Sequence, residues 1–350
     1  MTTDELKQIH LYRQHLTNKV DKLSVVRDLC GIQSQYLSNA YHSLFIRCTD
    51  RFKLKDNWSD GLVKNWTIRG TVHVFDRDDL PLFKYNDGTY LCNEWNDEKC
   101  DNFLWISAER KKLFSEFIVK CVNSAQSITR EELRDKCRLH GMTLCEESYI
   151  FDAWGGLLRP LCERGFISYK VQEKKAFEIV PRYVPMNKAD AINNQFIRYL
   201  HNIAPATIRD ISYFFGFSQS KVKEILRDID VKSLKFNGNE YFYMGDIQDD
   251  LPDIPNSMFL AGFDQLMLGY QKLDSIYVSQ KHIRGVFNLA GIVFPCVLYN
   301  GNVIGRWKKR NKKLIVSSFD ELDLFQKTEI EESAKELWQE EIRDVSFVLL

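Results

Sequence analysis

The sequence predicts an α+β protein: tandem winged-helix units followed by a small C-terminal β-barrel carrying one helix. Three observations lead there. Residues 187–245 read as three short amphipathic helices closed by a two-stranded hairpin. A similar order recurs between residues 108 and 180. Beyond about Pro252 the apolar residues gather into short strand-like stretches separated by turns.

The clearest block justifies the prediction. A helix runs through Ile192, Phe196, Tyr199 and Leu200. Thr207 then caps a helix bearing Ile208, Ile211, Phe214 and Phe215, and Gly216 ends it, where a positive φ is easily reached. Ser218 caps a third helix with Val222, Ile225, Leu226 and Ile229 at i, i+3, i+4 and i+7. Strands Val231–Phe236 and Tyr241–Met244 follow, joined through Asn237-Gly238-Asn239, a hairpin turn signal.

Upstream, residues 108–122 place Leu113, Phe114, Phe117, Ile118, Cys121 and Val122 on one face. Thr129 with Glu132 forms a capping box before a second helix. A third helix starts near Glu146 and carries Tyr149, Ile150, Ala153, Trp154, Leu157, Leu158 and Leu161, weakened by Gly155-Gly156 and Pro160. Strands Phe166–Val171 and Ala176–Val180 follow. The first block is looser, with helices expected near 4–16, 24–30, 39–47 and 60–66 and a strand over Thr67–Phe75. The predicted units are 1–100, 101–186 and 187–250, then a barrel over 251–350 with strand-like Phe259–Tyr270, Ile292–Tyr299, Val303–Trp307 and Leu314–Phe319, a helix near 326–343 and a last strand, Val345–Leu350.

Composition bounds the function. Hydrophobic residues make up 44% and charged residues 27%, which suits packed cores and argues against global disorder. Lys+Arg and Asp+Glu are 48 each, so a uniformly basic nucleic-acid binder is excluded. No stretch approaches the roughly 18 uninterrupted apolar residues of a membrane span, and the N-terminus has no apolar signal core, so a cytoplasmic location is expected. The nine cysteines are scattered without a CxxC pair, and the seven histidines have no metal-ligand spacing. Neither a metal nor a cofactor is expected.

The charge is uneven along the chain. Residues 301–313 hold six basic residues, Arg306, Lys308, Lys309, Arg310, Lys312 and Lys313, and no acid, between strand-like flanks. A hairpin with a cationic tip suits a phosphate backbone, where each neutralised phosphate releases counterion. Trp307 would either stack on a base or wedge between base pairs, or pack in the core. Acid collects elsewhere: ten Asp/Glu against three Lys/Arg over 320–344, and five Asp without a base over 245–264. This polarity predicts one positive and one negative face.

One constellation bears chemistry. Ser24 to Cys30 reads as a short helix that Gly31 ends, and Gln33 and Gln35 follow. On a helix, two positions apart means about 200° of rotation; in extended backbone the two side chains share a face. Two carboxamides hold a water or read polar edges, but carry no titratable proton. That limited chemistry suits cleavage of the glycosidic bond of an N-alkylated purine, whose departing base is already cationic and needs little acid assistance. Otherwise the glutamines are surface or loop-capping residues.

Four segments occur in order: Gly31-Ile32-Gln33-Ser34-Gln35; Arg69-Gly70-Thr71-Val72-His73; Phe259-Leu260-Ala261-Gly262-Phe263-Asp264-Gln265-Leu266-Met267-Leu268-Gly269-Tyr270; and Asn300-Gly301-Asn302-Val303-Ile304-Gly305-Arg306-Trp307-Lys308. Together they resemble the AlkZ family of winged-helix DNA glycosylases over nearly the whole chain. The resemblance implies three tandem winged helices and a barrel around a concave DNA-binding surface. It implies hydrolysis of N-alkylated purine nucleotides in double-stranded DNA and, in some members, interstrand crosslink unhooking. It carries the water-positioning pair onto Gln33 and Gln35, and the DNA-engaging hairpin onto 306–313. Ser34 departs from the family pattern, which has an aliphatic residue there. Arg69 and Thr71 are read either as phosphate contacts or as a salt bridge and turn bond. Asp264 is either an electrostatic aid to the site or the structural partner of an arginine. A metal-independent, monofunctional glycosylase is expected, monomeric and nucleoid-associated. The competing expectation is a non-catalytic winged-helix DNA-binding protein or transcriptional regulator.

Overall fold

The computed structural model describes residues 1–84, 106–153, 155–172 and 174–350. Cys92, Cys100 and Trp154 lie outside the described residues. The chain packs as two compact units, a coarser division than the four expected. The first comprises Met1–Trp58 and Gln195–Leu350, the second Ser59–Asn194.

The N-terminal part of the first unit is helical: α1 (Thr3–Arg13), α2 (Lys22–Asp28), the short extended β1 (Ile32–Gln33), α3 (Leu37–Phe45) and α4 (Leu54–Asn57). Thr2 and Glu5 form a capping box on α1, and the Asp21 carboxylate caps α2.

The second unit opens with a correction. Residues 62–66, expected as the end of a helix, form β2 (Leu62–Trp66), which pairs antiparallel with β3 (Val72–Asp76). A turn with Gly70 at φ 69° joins them, so cross-strand pairing overrides the local helical pattern. The unit continues with α5 (Leu80–Phe83), α6 (Ala108–Ser124), β4 (Ile128–Thr129), α7 (Arg130–Leu139), α8 (Leu144–Ile150), α9 (Leu158–Glu163), β5 (Ile167–Tyr169) and β6 (Ala176–Ile179). Its strands run in the order β3-β2-β5-β6-β4. Thr129 and Glu132 form the capping box read from the sequence. The single helix expected from Glu146 is two helices. Gly155 and Gly156, at φ 122° and 49°, interrupt it, and Pro160 sits in the first turn of α9, where its missing N–H costs nothing. Phe114, Ile118, Val122, Leu133, Cys137, Ile150, Leu161 and Phe177 form the core of this unit.

The chain returns to the first unit along α10 (Lys188–Asn202). Then come α11 (Ile208–Phe215), α12 (Gln219–Arg227), β7 (Lys232–Phe236) and β8 (Asn239–Tyr243). Thr207 and Ser218 cap α11 and α12, and Gly216 ends α11 at φ 69°. The β7–β8 turn places Asn237 and Gly238 at φ 46° and 75°, the two positive values that a two-residue hairpin favours.

The remaining elements are β9 (Ser257–Leu260), α13 (Gln265–Leu268), α14 (Ile283–Val286), β10 (Cys296–Tyr299), β11 (Asn302–Arg310), β12 (Lys313–Ser318), α15 (Leu324–Trp338) and β13 (Asp344–Leu349). The strands run in the order β13-β12-β11-β10-β9. Neighbours are antiparallel except β12 and β13, which are parallel. The expected barrel is therefore an open sheet with β9 and β13 at its edges. Part of the apolar run meant for its first strand, from Gln265, folds instead as α13. Phe259, Leu260, Val297, Leu298, Val316, Ile330 and Ala334 are buried.

Candidate functional site

The glutamine segment begins where α2 stops. Cys30 and Gly31 take φ of 55° and 80°, and the Gly31 N–H bonds the Val26 carbonyl at 2.8 Å, so the chain leaves the helix sharply. Ile32 and Ser34 are buried, while Gln33 is 7% exposed and Gln35 is open to solvent. Strand β1 spans only Ile32–Gln33 and the chain bends at Gln35 and Tyr36 before α3, so the expected continuous extended backbone stops short of Gln35, and the two glutamines differ in exposure instead of sharing one strand face. Ser34, the departure from the family pattern, fills an interior position.

The Phe259–Tyr270 stretch holds this segment from below. The Gln265 amide donates to the Leu29 carbonyl at the end of α2 (3.1 Å), and the Arg198 guanidinium donates to the Arg27 carbonyl (3.3 Å). Asp264 and Arg47 are both fully buried and joined by two hydrogen bonds of 2.7 and 2.9 Å. Asp264 also accepts from Ser43 Oγ (3.3 Å) and caps α13 through the Leu266 N–H (3.0 Å). Burial raises its pKa and the Arg47 guanidinium lowers it; the guanidinium prevails and the carboxyl stays ionised. The geometry makes Asp264 the bolt between α3 and α13, the arginine partner that was one of its two expected roles. Gly262 lies close to α3: a Cβ there would be 2.7 Å from Asn39 Nδ2, so the Asn39 amide would have to move aside.

His42 packs beneath. Its Nε2–H donates to the Phe259 carbonyl at 2.8 Å, and burial lowers its pKa to about 4, so the ring is neutral. It belongs to an aromatic cluster with Trp307 (4.8 Å) and Trp338 (5.5 Å). The Trp307 indole N–H donates to the Leu260 carbonyl at 2.7 Å. Trp307 is therefore half-buried against the aromatic cluster, as in the packing alternative read from the sequence.

The basic segment forms the hairpin β11–β12, turning through Asn311 at φ 51°. Its six cations separate by strand alternation. Lys308, Arg310 and Lys313 lie on one face, since Arg310 pairs with Lys313 in register, and all three are exposed, as is Lys312 in the turn. Arg306 shares that face but is turned back: its Nε donates to the Gly285 carbonyl, and its guanidinium lies 3.8 Å from the Phe294 ring centroid. Lys309 is on the opposite face, paired with Glu341 and 5.9 Å from the Trp338 ring centroid. Charge is thus less segregated than the sequence suggests, because the acidic 320–344 segment runs beside the hairpin and Asp344 sits opposite Lys313.

Arg69 and Thr71 belong to the second unit, in the turn before β3. Arg69 Nη1 approaches His73 Nε2 at 3.4 Å, and the Thr71 carbonyl faces His73 Nδ1 at 3.0 Å. Burial first, and Arg69 second, lower the His73 pKa to about 3. The neutral ring then accepts from Arg69 and donates to Thr71. Both residues support the turn through His73.

Sequence reasoning missed Arg47, Gln265, Asn39 and Tyr36. Only Gly262 and Asp264, small and charged residues within an apolar run, hinted at the tight contacts there. Among the described residues no group of three or more His, Cys, Asp or Glu is placed to share a metal ion, and no helix is long and apolar enough to cross a membrane.

Comparison with known proteins gives this geometry its context. An interstrand DNA cross-link repair glycosylase from Streptomyces sahachiroi is 23% identical over 332 residues, covering 89% of this chain and 88% of the relative. The solved structure of the Streptomyces sahachiroi DNA glycosylase AlkZ superposes with a TM-score of 0.81 at 21% identity, over 99% of this chain and 100% of that one. The model of the AlkZ-like DNA glycosylases matches residues 26–337, a span that holds the glutamine segment, the Asp264 bolt and the hairpin, and the chain belongs to that family.

Proposed function

We propose that this DNA glycosylase hydrolyses the N-glycosidic bond of N-alkylated purines in double-stranded DNA, without a metal and without strand cleavage. Gln33 and Gln35 hold the attacking water. In the reaction the C1′–N9 bond breaks and its electron pair goes to the purine, which leaves neutral. The water oxygen bonds to C1′, and its proton passes to solvent. The protein has no leaving group to protonate, so uncharged amides suffice: they orient water and present dipoles to the sugar as it gains positive charge. The carrying observation is the pair's setting: Gln33 is nearly enclosed and Gln35 solvent-facing, just past a helix end fastened by Gln265 and Arg198. The family supports DNA as substrate, and the winged-helix reading of residues 101–186 and 187–250 provides a scaffold for it. The Streptomyces sahachiroi relative's name extends the reading to crosslink unhooking.

The test is base release from duplexes carrying N7- or N3-alkylpurines, followed by alkaline cleavage of abasic sites. Replacing both Gln33 and Gln35 with Ala should lower the maximal rate by about 100-fold or more, the scale of one lost transition-state donor, with duplex binding kept. Wild-type release by the double variant would refute the role of the pair. Tight operator binding without base release from any alkylated duplex would favour the non-catalytic regulator instead.

A further inference from the structure

Tyr36 follows Gln35 directly in the bend before α3 and is 50% exposed, an aromatic side chain left open to solvent. It occupies the N-cap position of α3 but makes no side-chain cap bond, so capping does not account for it. One face of its ring is backed by Phe263, at 6.0 Å between centroids and 22° between planes. Phe263 is 5% exposed and has φ 56°, a left-handed conformation that a bulky residue rarely adopts. Its surroundings hold it there. Its N–H donates to the Val293 carbonyl at 3.2 Å, Gly262 before it closes on Asn39, and Asp264 after it is bolted to Arg47. Strain of this kind persists where the surrounding structure over-determines it, and it collects at functional sites. The result is a fixed two-ring stack, half-exposed at Tyr36, one residue past Gln35.

We propose that Tyr36 is the base-recognition residue of this site: its open face stacks on the cationic alkylpurine whose glycosidic bond the glutamines serve. The proposal rests on the reading of Gln33 and Gln35 given above. A positively charged heterocycle gains both stacking and cation–π attraction from a tyrosine face, whereas an unmodified purine gains stacking alone. The stack thereby selects the lesion. It is also strongest before bond cleavage, because the departing electron pair neutralises the base. Loss of Tyr36 therefore weakens capture of the lesion and spares the chemical step, the reverse of losing the glutamines.

The experiment uses the full chain and a duplex with a single N7-methylguanine, under single-turnover conditions with enzyme in excess. Tyr36→Leu should raise the half-saturating enzyme concentration by about 5- to 150-fold, the range for one base–aromatic stack, and leave the maximal rate undiminished. Tyr36→Phe should behave as wild type. A second readout places Tyr36→Trp in the Gln33→Ala, Gln35→Ala background, where the base stays attached. Its extra indole fluorescence should be quenched by the N7-methylguanine duplex and not by the unmodified one. Wild-type saturation by Tyr36→Leu, failure of Tyr36→Phe, or an unquenched indole would each overturn the proposal. Undiminished base release by the glutamine double variant would refute the reading of the pair alone, since the half-saturation shift of Tyr36→Leu is measured with both glutamines intact and reports the stack independently.

Discussion

Alternation along β11 splits the cationic segment into groups that should behave differently on DNA. Lys308, Arg310 and Lys313 share the exposed face of the hairpin, whereas Lys309 is paired with Glu341 and Arg306 is held by the Gly285 carbonyl. The perturbation is the triple replacement Lys308→Ala, Arg310→Ala and Lys313→Ala. On B-DNA the logarithm of the binding constant falls with the logarithm of salt by about 0.9 for each neutralised phosphate, so three lost contacts flatten the slope by about 2.7. Between 50 and 200 mM salt the wild type should then lose roughly 40-fold more affinity than the variant. Fluorescence anisotropy with an unmodified labelled duplex at four or five salt concentrations reads the slope directly. Lys309→Ala is the control. Its charge is already compensated by Glu341, so it should change the slope by only a small fraction of that. An unchanged slope in the triple variant would show that this face does not meet phosphates. A Lys309→Ala slope as flat as the triple variant's would refute the argument from alternation.

Three further expectations concern the scaffold. Asp264→Asn leaves Arg47 buried without its counter-charge and should cost about 3–5 kcal/mol by denaturant unfolding; unaltered stability would show that the buried pair is not a bolt, and a rate loss in fully folded protein would restore an electrostatic role. The buried imidazoles make the fold acid-sensitive: His10 and His73 have pKa values lowered to about 3 and His42 to about 4, chiefly by burial, so below pH 6.5 the unfolded chain binds protons that the folded chain refuses. Stability therefore falls as pH drops through 6.5, by about 2 kcal/mol for each ring at pH 5. Glu146, held down to about 2 chiefly by its hydrogen bond from Arg110, loses its contribution only below about pH 4.5 and does not blur that window. Equal thermal midpoints at pH 7.5 and 5 would contradict this account. Gly305→Ala should destabilise the C-terminal sheet by about 1–3 kcal/mol, because the new Cβ would meet the Ser317 carbonyl oxygen at 2.4 Å and the Ser318 Cα at 2.8 Å, both backbone atoms that cannot swing aside; a wild-type midpoint would mean that β12 yields.

Much of the local structure was legible in the sequence because its causes are local. Thr129 with Glu132, Thr207, Ser218, Gly216 and the Asn237-Gly238 turn each act within a few residues, and each stands where the sequence places it. The basic hairpin followed from a Lys-rich run between two alternating apolar stretches. Residues 62–66 were misread because their fate depends on β3, a partner beyond the turn. The barrel was misread for a related reason: closure is a property of strand order, and β9 and β13 remain the two edges of an open sheet.

At the site the division is the same. The sequence by itself determined that two glutamines stand just past a helix end, that their amides carry no titratable proton, and that a cationic turn lies far along the chain. Composition and short-range spacing suffice for those statements. Only the tertiary structure decided that Asp264 is spent on Arg47, that Trp307 packs against the aromatic cluster, that Glu341 claims Lys309, and that Phe263 stands behind Tyr36. Those are meetings between residues about 30 to more than 200 positions apart, and a side chain's chemistry is set by whichever distant group packing brings against it.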